Sequence, residues 1–246
     1  MSTKVRRRSD SGQPSAGERA SERLLVAAGE VFAEKGYDRA TAKEICERAG
    51  MNAASVNYHF DGIESLYTAT LAHAHRQIVT IEVLQEIASS DASARHKLRA
   101  YIAPIVRRLA SPAAASWEMR LLSREVLSPS PVKAAFIQAE ILPKKKLLGD
   151  IIAELIGVKP DDAVVGRAIL TVVAPCLILA ISDRTMLSLL MPGLTDSDAE
   201  VELLIDHFER FIHAGLAAVA QHVQADAGAK PRRLASGTEP RTRKKP

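Results

Sequence analysis

The sequence predicts an all-α protein, and three observations carry that expectation. Apolar residues recur at three- and four-residue steps through most of the chain, without the two-residue alternation that marks a strand. Ser15/Glu18, Thr41/Glu44 and Asp61/Glu64 each place a capping side chain three positions ahead of a glutamate, just before an apolar run. Hydrophobic residues fill 47% of the 246 positions but aromatics only 4%, a balance that suits a helical core of aliphatic side chains. A chain of this length can bury a sizeable core in one or two domains.

Ser15 and Glu18 open a first helix that sets Leu24, Leu25, Ala28, Val31 and Phe32 on one face before Gly36 stops it. Thr41 and Glu44 open a second, two-turn helix with Ala42, Ile45, Cys46 and Ala49 inward and Gly50 at its end. Asn52 caps a third, short helix whose inward residues are Val56 and Phe60. Between the second and third lie only Gly50, Met51 and Asn52, with Gly50 able to take the left-handed conformation, and this is the spacing of a helix-turn-helix. A helix so short is marginal alone and must be pinned by its neighbours. With Val56 and Phe60 turned in, helical geometry turns Ala53, Ala54, Asn57 and Tyr58 outward, with Ser55 and His59 on the flanks. Asn57 can pair bidentately with adenine and the alanine methyls can meet thymine methyls. Ser55, Tyr58 and His59 can donate to phosphate oxygens. A polar surface helix that merely meets water is the alternative reading of the same face.

Asp61 and Glu64 start a fourth helix that runs to about Ser89, with Ile63, Leu66, Tyr67, Thr70, Leu71, Ala74, Ile78 and Ile81 in step. It is longer than a DNA module needs and is expected to join a small N-terminal domain to a larger helical one. Helical patterns follow in "ASARHKLRAYIAPIVRRLA", in "AASWEMRLLSREVLS", and in "VKAAFIQAEILPKKKLLGDIIAELIG" behind Pro131. Two more span about 161–181 and 198–223. Pro104, Pro143 and Pro175 lie inside these patterns and are expected to kink or break them. The expected organisation is a basic arm at 1–14, a helix-turn-helix domain at 15–62, an effector-binding and dimerisation domain at 63–225, and a basic tail at 226–246.

The net charge of +4 conceals a division. Residues 1–25 hold six basic and three acidic side chains and residues 226–246 hold seven and two, so the stretch between is acidic. Charged, Ser/Gly/Pro-rich ends read as disordered arms, which either attract a polyanion or simply solubilise. The two cysteines, Cys46 and Cys176, fall at apolar helical positions without metal or disulfide spacing, which fits a reducing cytoplasm. The N-terminus has positive charge but no apolar segment behind it, unlike a secretory signal. The longest charge-free run, Ala168–Ser182, is short of the roughly 20 residues of a membrane span. Seven histidines raise the thought of an all-α enzyme, but none makes a zinc-helix signature, and no phosphate-loop, nucleophile-elbow or dinucleotide pattern occurs. No cofactor, metal or catalytic residue is expected.

The stretch from Glu22 to Tyr67, with "FAEKGY", "TAKEI", "AG" at the turn and "YHF" before "ESLY", resembles the DNA-binding domain of the TetR family of transcriptional regulators. The resemblance implies a homodimer on double-stranded DNA, with base or phosphate contacts at the positions held here by Thr41, Ala53, Ala54, Ser55, Asn57, Tyr58 and His59. Two positions depart from the family pattern: Ile63 stands where a phosphate-contacting lysine is usual, and Asn57 where an aromatic is common. "RLLSREVLSPSP" followed by "ILPKKKLLGDII" is similar to the C-terminal domain of the CecR-like subgroup. The implied function is a homodimeric repressor released from a palindromic operator by a small molecule. A DNA-binding adaptor that docks a protein is the alternative. Residues 161–181 and 198–223 are expected to form either the seam between protomers or ordinary core. His73, Tyr101, Trp117, Arg120, Arg124 and Phe136 are the candidate effector-pocket residues, with Trp117 alternatively in the core and the arginines paired to Glu118 or Glu125.

Overall fold

The computed structural model describes residues 15–111, 116–182, 184–194 and 197–229, and no strand occurs among them. Helices α1 (Ala16–Lys35), α2 (Ala42–Ala49), α3 (Ser55–Phe60) and α4 (Ile63–Arg76) come first. Then follow α5 (Ile81–Ser89), α6 (Ala94–Ala110), α7 (Trp117–Leu127) and α8 (Lys133–Phe136). A π-helical segment (Ile137–Ile141) leads into α9 (Leu142–Ile156), and α10 (Ala163–Ile181), α11 (Arg184–Leu190) and α12 (Asp198–Ala229) complete the fold. The expected basic arm and most of the basic tail lie outside the described residues, and α12 continues past the expected boundary at 226.

The N-terminal helices form as their caps dictate. Ser15 and Glu18 make a reciprocal capping box on α1, Thr41 accepts from the Glu44 N–H at 3.2 Å, and Gly50 ends α2 at φ +64°. Leu24, Val31 and Phe32 of α1, Ile45 of α2, Val56 of α3, and Leu66, Tyr67 and Leu71 of α4 are fully buried in one cluster. Outside that cluster, Arg48 grips Glu34 with two nitrogens at 2.8 and 2.9 Å, bracing α2 against α1.

Asp61 does not cap α4. It takes the left-handed conformation at φ +58° and closes α3, its N–H bonded to the Asn57 carbonyl at 3.1 Å, while Gly62 at φ +112° turns the chain into α4. Nor does the fourth helix reach Ser89. It stops at Arg76, and Thr80 begins α5 by accepting from the Val83 N–H. The break is held from far along the chain, where Lys144 donates to the Val79 carbonyl at 2.8 Å.

Prolines act differently from one site to another. Helices α6 and α10 run through Pro104 and Pro175 without interruption. Pro143 sits in the first turn of α9, and the wider π turn directly upstream is where the helical register adjusts to it. α11, which the apolar periodicity did not single out, fills the gap before α12.

In the C-terminal part, α6 packs on α9, α10 and α12, and α10 packs on α6, α7 and α9. Helix α10 has 19 residues and a mean hydropathy of 2.4, long and apolar enough by composition to cross a membrane. It packs here among other helices with its outer face uncovered: Leu170 is 66% and Ile178 54% exposed. α12 likewise exposes Leu203 and Phe211, at 58% and 66%.

Candidate functional site

The turn before α3 is built by Asn52. Its Oδ1 accepts from the Ala54 N–H at 3.0 Å and from the Ser55 hydroxyl at 3.1 Å, an Asx turn that fixes the entry to the helix. With Val56 fully buried and Phe60 packed against the core, Ala53, Ala54, Asn57 and Tyr58 stand outward, Tyr58 at 84% exposure. Thr41 is exposed at the start of α2. His59 is half-buried, its Nδ1 bonded to the Ser21 hydroxyl of α1 at 3.1 Å and its ring edge-on to Tyr58 at 4.8 Å. Ser55 departs from its expected flank position. It is buried and its hydroxyl is spent on Asn52, so in this geometry it serves the turn and offers no donor to a phosphate.

Arg23 of α1 donates to the Ala49 carbonyl at the end of α2. Together with the Ser21–His59 bond, this makes α1 the platform that sets the angle of α3.

The second candidate site is a cavity of about 640 Å³ lined by residues of α4, α6, α7, α8, α9 and α10 and of the segments between them. Ile102, Leu109, Met119, Leu122, Phe136 and Val172 line its buried part. Its size falls within the range of small-molecule pockets. Charged groups meet on one wall. Buried Lys144 donates to His75 Nδ1 and to the Val79 carbonyl, both at 2.8 Å, and lies 3.4 Å from Glu140, whose other oxygen pairs with Arg76. Burial, then the charges of Lys144 and Arg76, hold the His75 imidazole down at about 3, so the ring is neutral. Because Nδ1 accepts from Lys144, the ring proton resides on Nε2. Burial also lowers the Lys144 ammonium from its ordinary value, against the opposing pull of Glu140. The Tyr101 hydroxyl donates to the Lys144 carbonyl at 3.0 Å, and burial raises its own pKa. Cys176 also lines the cavity, its thiol pushed up to about 11 by burial and therefore protonated.

Glu125 is the carboxylate of this lining. Both its oxygens are occupied: Oε2 accepts from the Tyr67 hydroxyl at 2.7 Å, and Oε1 from the Ser130 N–H and hydroxyl at 3.1 and 3.0 Å. Tyr67 carries the connection onward, its ring edge-on to Phe32 at 4.7 Å and to Tyr37 at 5.0 Å.

Of the six residues expected around a pocket, Tyr101 and Phe136 line this cavity, and the other four do not. Trp117 lies flat on α1, where a Cβ at Gly29 would come within 2.1 Å of its ring, and His73 stacks on its indole at 5.8 Å. Arg124 reaches the Glu34 carbonyl of α1 at 3.2 Å, and Arg120 is exposed on α7. Trp117, Arg120 and Arg124 occupy the face of α7 turned toward the N-terminal helices or to solvent, because α7 gives its opposite face, with Met119, Leu122 and Val126, to the cavity, and His73 of α4 is held away by its stack on Trp117. His75, Lys144, Glu140 and Glu125 were not anticipated. A signal for one of them exists: Lys144 falls four residues before Leu148 on the apolar stripe of α9, an unusual place for a lysine.

A helix-turn-helix unit with an outward polar face, set on a helical body that holds an apolar cavity, defines the class as a DNA-binding regulator. Residues 24–70 match the family of bacterial regulatory proteins of the TetR type, and residues 94–216 match the C-terminal domain of the HTH-type transcriptional dual regulator CecR. The second match alone spans half of the chain, and the protein belongs to the TetR family of transcriptional regulators. No curated protein matches its sequence. Among solved structures, a TetR-family regulatory protein from Rhodococcus RHA1 is similar at 24% identity and a TM-score of 0.57, over 79% of this chain and 97% of that one. The fatty acid degradation regulator FadR of Bacillus halodurans is similar at 14% identity and a TM-score of 0.58, over 79% and 98%. FadR of Bacillus subtilis, solved with stearoyl-CoA, is similar at 18% identity and a TM-score of 0.56 over the same shares. Identities of this size establish a shared fold.

Proposed function

We propose that the chain is a cytoplasmic homodimeric repressor, released from a palindromic operator by a small molecule that enters the cavity. The observation that carries this reading is the pairing of an outward reading face on α3 with an apolar cavity whose wall residue Glu125 bonds directly to Tyr67 of α4, which packs edge-on against Phe32 of α1. Ala53, Ala54 and Asn57 address base edges, while Thr41, Tyr58 and His59 address phosphates. The exposed apolar residues Leu170, Ile178, Leu203 and Phe211 on α10 and α12 form the seam with a second copy. Residues 15–62 serve as the DNA-binding domain and 63–225 as the effector and dimerisation domain.

The two recognition helices of such a dimer must lie one turn of DNA apart, about 34–36 Å. An effector that prefers one packing of the cavity walls displaces α7 and α4, and through them α1 and α3, so the spacing is lost. A coupling of roughly 1–3 kcal/mol is ordinary for such a device. Footprinting of the purified protein on the DNA upstream of its own gene, with light scattering for the oligomeric state, tests the proposal. A symmetric protected site bound by a dimer is expected. A monomer, or protection without two-fold symmetry, refutes it. Binding that no small molecule reverses would favour a protein partner for the C-terminal domain.

A further inference from the structure

The cavity, taken as the effector site on the reading above, has a charge distribution that narrows what can occupy it. Its interior carries no uncommitted charge. His75 is neutral, Lys144 is compensated by Glu140, and both oxygens of Glu125 are engaged. An ion drawn inside would lose its hydration without a partner, which costs several kcal/mol. The rim differs. There the lining residues Val126, Ile137 and Leu177 are exposed, and with them stand two exposed lysines, Lys133 of α8 and Lys145 of α9. Neither lysine side chain pairs with a described residue, and the lining contributes no carboxylate besides the committed Glu125. The cavity is thus apolar within and cationic at its mouth.

We propose that the effector is an elongated anionic amphiphile: a hydrocarbon body inside the cavity and a carboxylate, or the anionic head of a carrier thioester, held at the mouth by Lys133 and Lys145. Hydrocarbon burial supplies the affinity, and the two lysines supply the sign of the head group.

Isothermal titration of the full chain with decanoate, dodecanoate and tetradecanoate, each below its micelle concentration, tests the proposal. Each added methylene should tighten binding about fourfold, the equivalent of about 0.8 kcal/mol per buried CH₂. The alkylamine of matching length should bind about tenfold more weakly, because attraction at two lysines becomes repulsion. The double variant Lys133→Glu, Lys145→Glu alters only exposed side chains and should reverse the order of acid and amine. Dodecanoyl-coenzyme A, run against dodecanoate, decides between thioester and free acid as the source, and both belong to the class. Equal affinity for acid and amine, an affinity that does not grow with chain length, or an acid preference that survives the double substitution overturns the proposal. DNA release is followed in the same samples. Acid binding without release overturns the release mechanism alone, whereas release by an uncharged apolar compound, with no acid binding, overturns this ligand class alone.

Discussion

Tyr67→Phe removes a single oxygen from the middle of the molecule and isolates the bond that ties the cavity wall to the α4 residue packed against α1. Tyr67 is 1% exposed, and its contacts with Phe32 at 4.7 Å and Tyr37 at 5.0 Å survive in phenylalanine. What disappears is the 2.7 Å donation to Glu125 Oε2. Glu125 stays buried, its other oxygen still accepting from Ser130. A hydrogen bond to a charged group contributes about 1.5–3 kcal/mol, and here the partner left behind is buried, which puts the loss at roughly 2–3 kcal/mol. For a chain of this size that lowers the thermal midpoint by roughly 4–12 °C. Urea denaturation at one fixed protomer concentration is the assay, since the stability of a dimer depends on concentration. A double-mutant cycle with Glu125→Gln separates the bond from changes in packing. If Tyr67→Phe and Glu125→Gln add to within about 0.5 kcal/mol, the two groups are uncoupled in solution, and ring packing alone joins the two parts of the molecule.

Asn57→Ala should weaken binding to the specific operator by about 1–3 kcal/mol in a gel-shift titration and leave nonspecific binding unchanged; an equal loss on both would remove Asn57 from base reading. Gly29→Ala drives a methyl into the Trp117 ring, where the Cβ position lies 2.1 Å from the nearest ring carbon, and should cost about 1–3 kcal/mol or more in urea denaturation. Leu170→Glu combined with Phe211→Glu should turn the dimer into a monomer in light scattering, both side chains being 66% exposed in the single chain. His75 makes acid destabilising. Its folded pKa of about 3 lies below the ordinary 6.5, so between these values the unfolded chain binds the extra proton and stability rises with pH. The slope reaches at most about 1.4 kcal/mol per pH unit, and His75→Gln should flatten that limb, with His213, also lowered by burial, leaving a remainder.

The N-terminal half of the site was legible because its determinants are local. Ser15, Thr41 and Gly50 act within four residues of where they stand, and the burial of Val56 and exposure of Tyr58 follow from one helical period. The α4–α5 break was not legible from periodicity, because the apolar pattern runs on through Ile78 and Ile81. Thr80 is a start signal in retrospect, but the Lys144 ammonium that completes the break comes from a helix much later in the chain. Trp117 shows the same limit. A lone tryptophan near two arginines looks like a ligand box, yet its place was decided by Gly29, whose missing side chain lets the indole come up against the backbone of α1. The wall of His75, Lys144, Glu140 and Arg76 draws on α4, the π segment and α9, so its members become neighbours only in the fold.

This arrangement also relocates the lever in the proposed mechanism. A continuous fourth helix would have carried a displacement from the cavity to α3 by itself, but α4 ends at Arg76. α7 has the better connection. One face of it forms cavity wall through Met119, Leu122 and Val126, and the other is fastened to α1 at two places, Trp117 on Gly29 and Arg124 on the Glu34 carbonyl. Those anchors are seven residues apart on α7 and five on α1, roughly 10 and 7 Å at 1.5 Å per residue, so α7 cannot pivot about a single contact. A shift of its cavity face must therefore move α1 as well. α1 holds α3 through Ser21 and His59, and holds the end of α2 through Arg23. The recognition helix follows α1 because its own six residues are too few to hold a position without that platform.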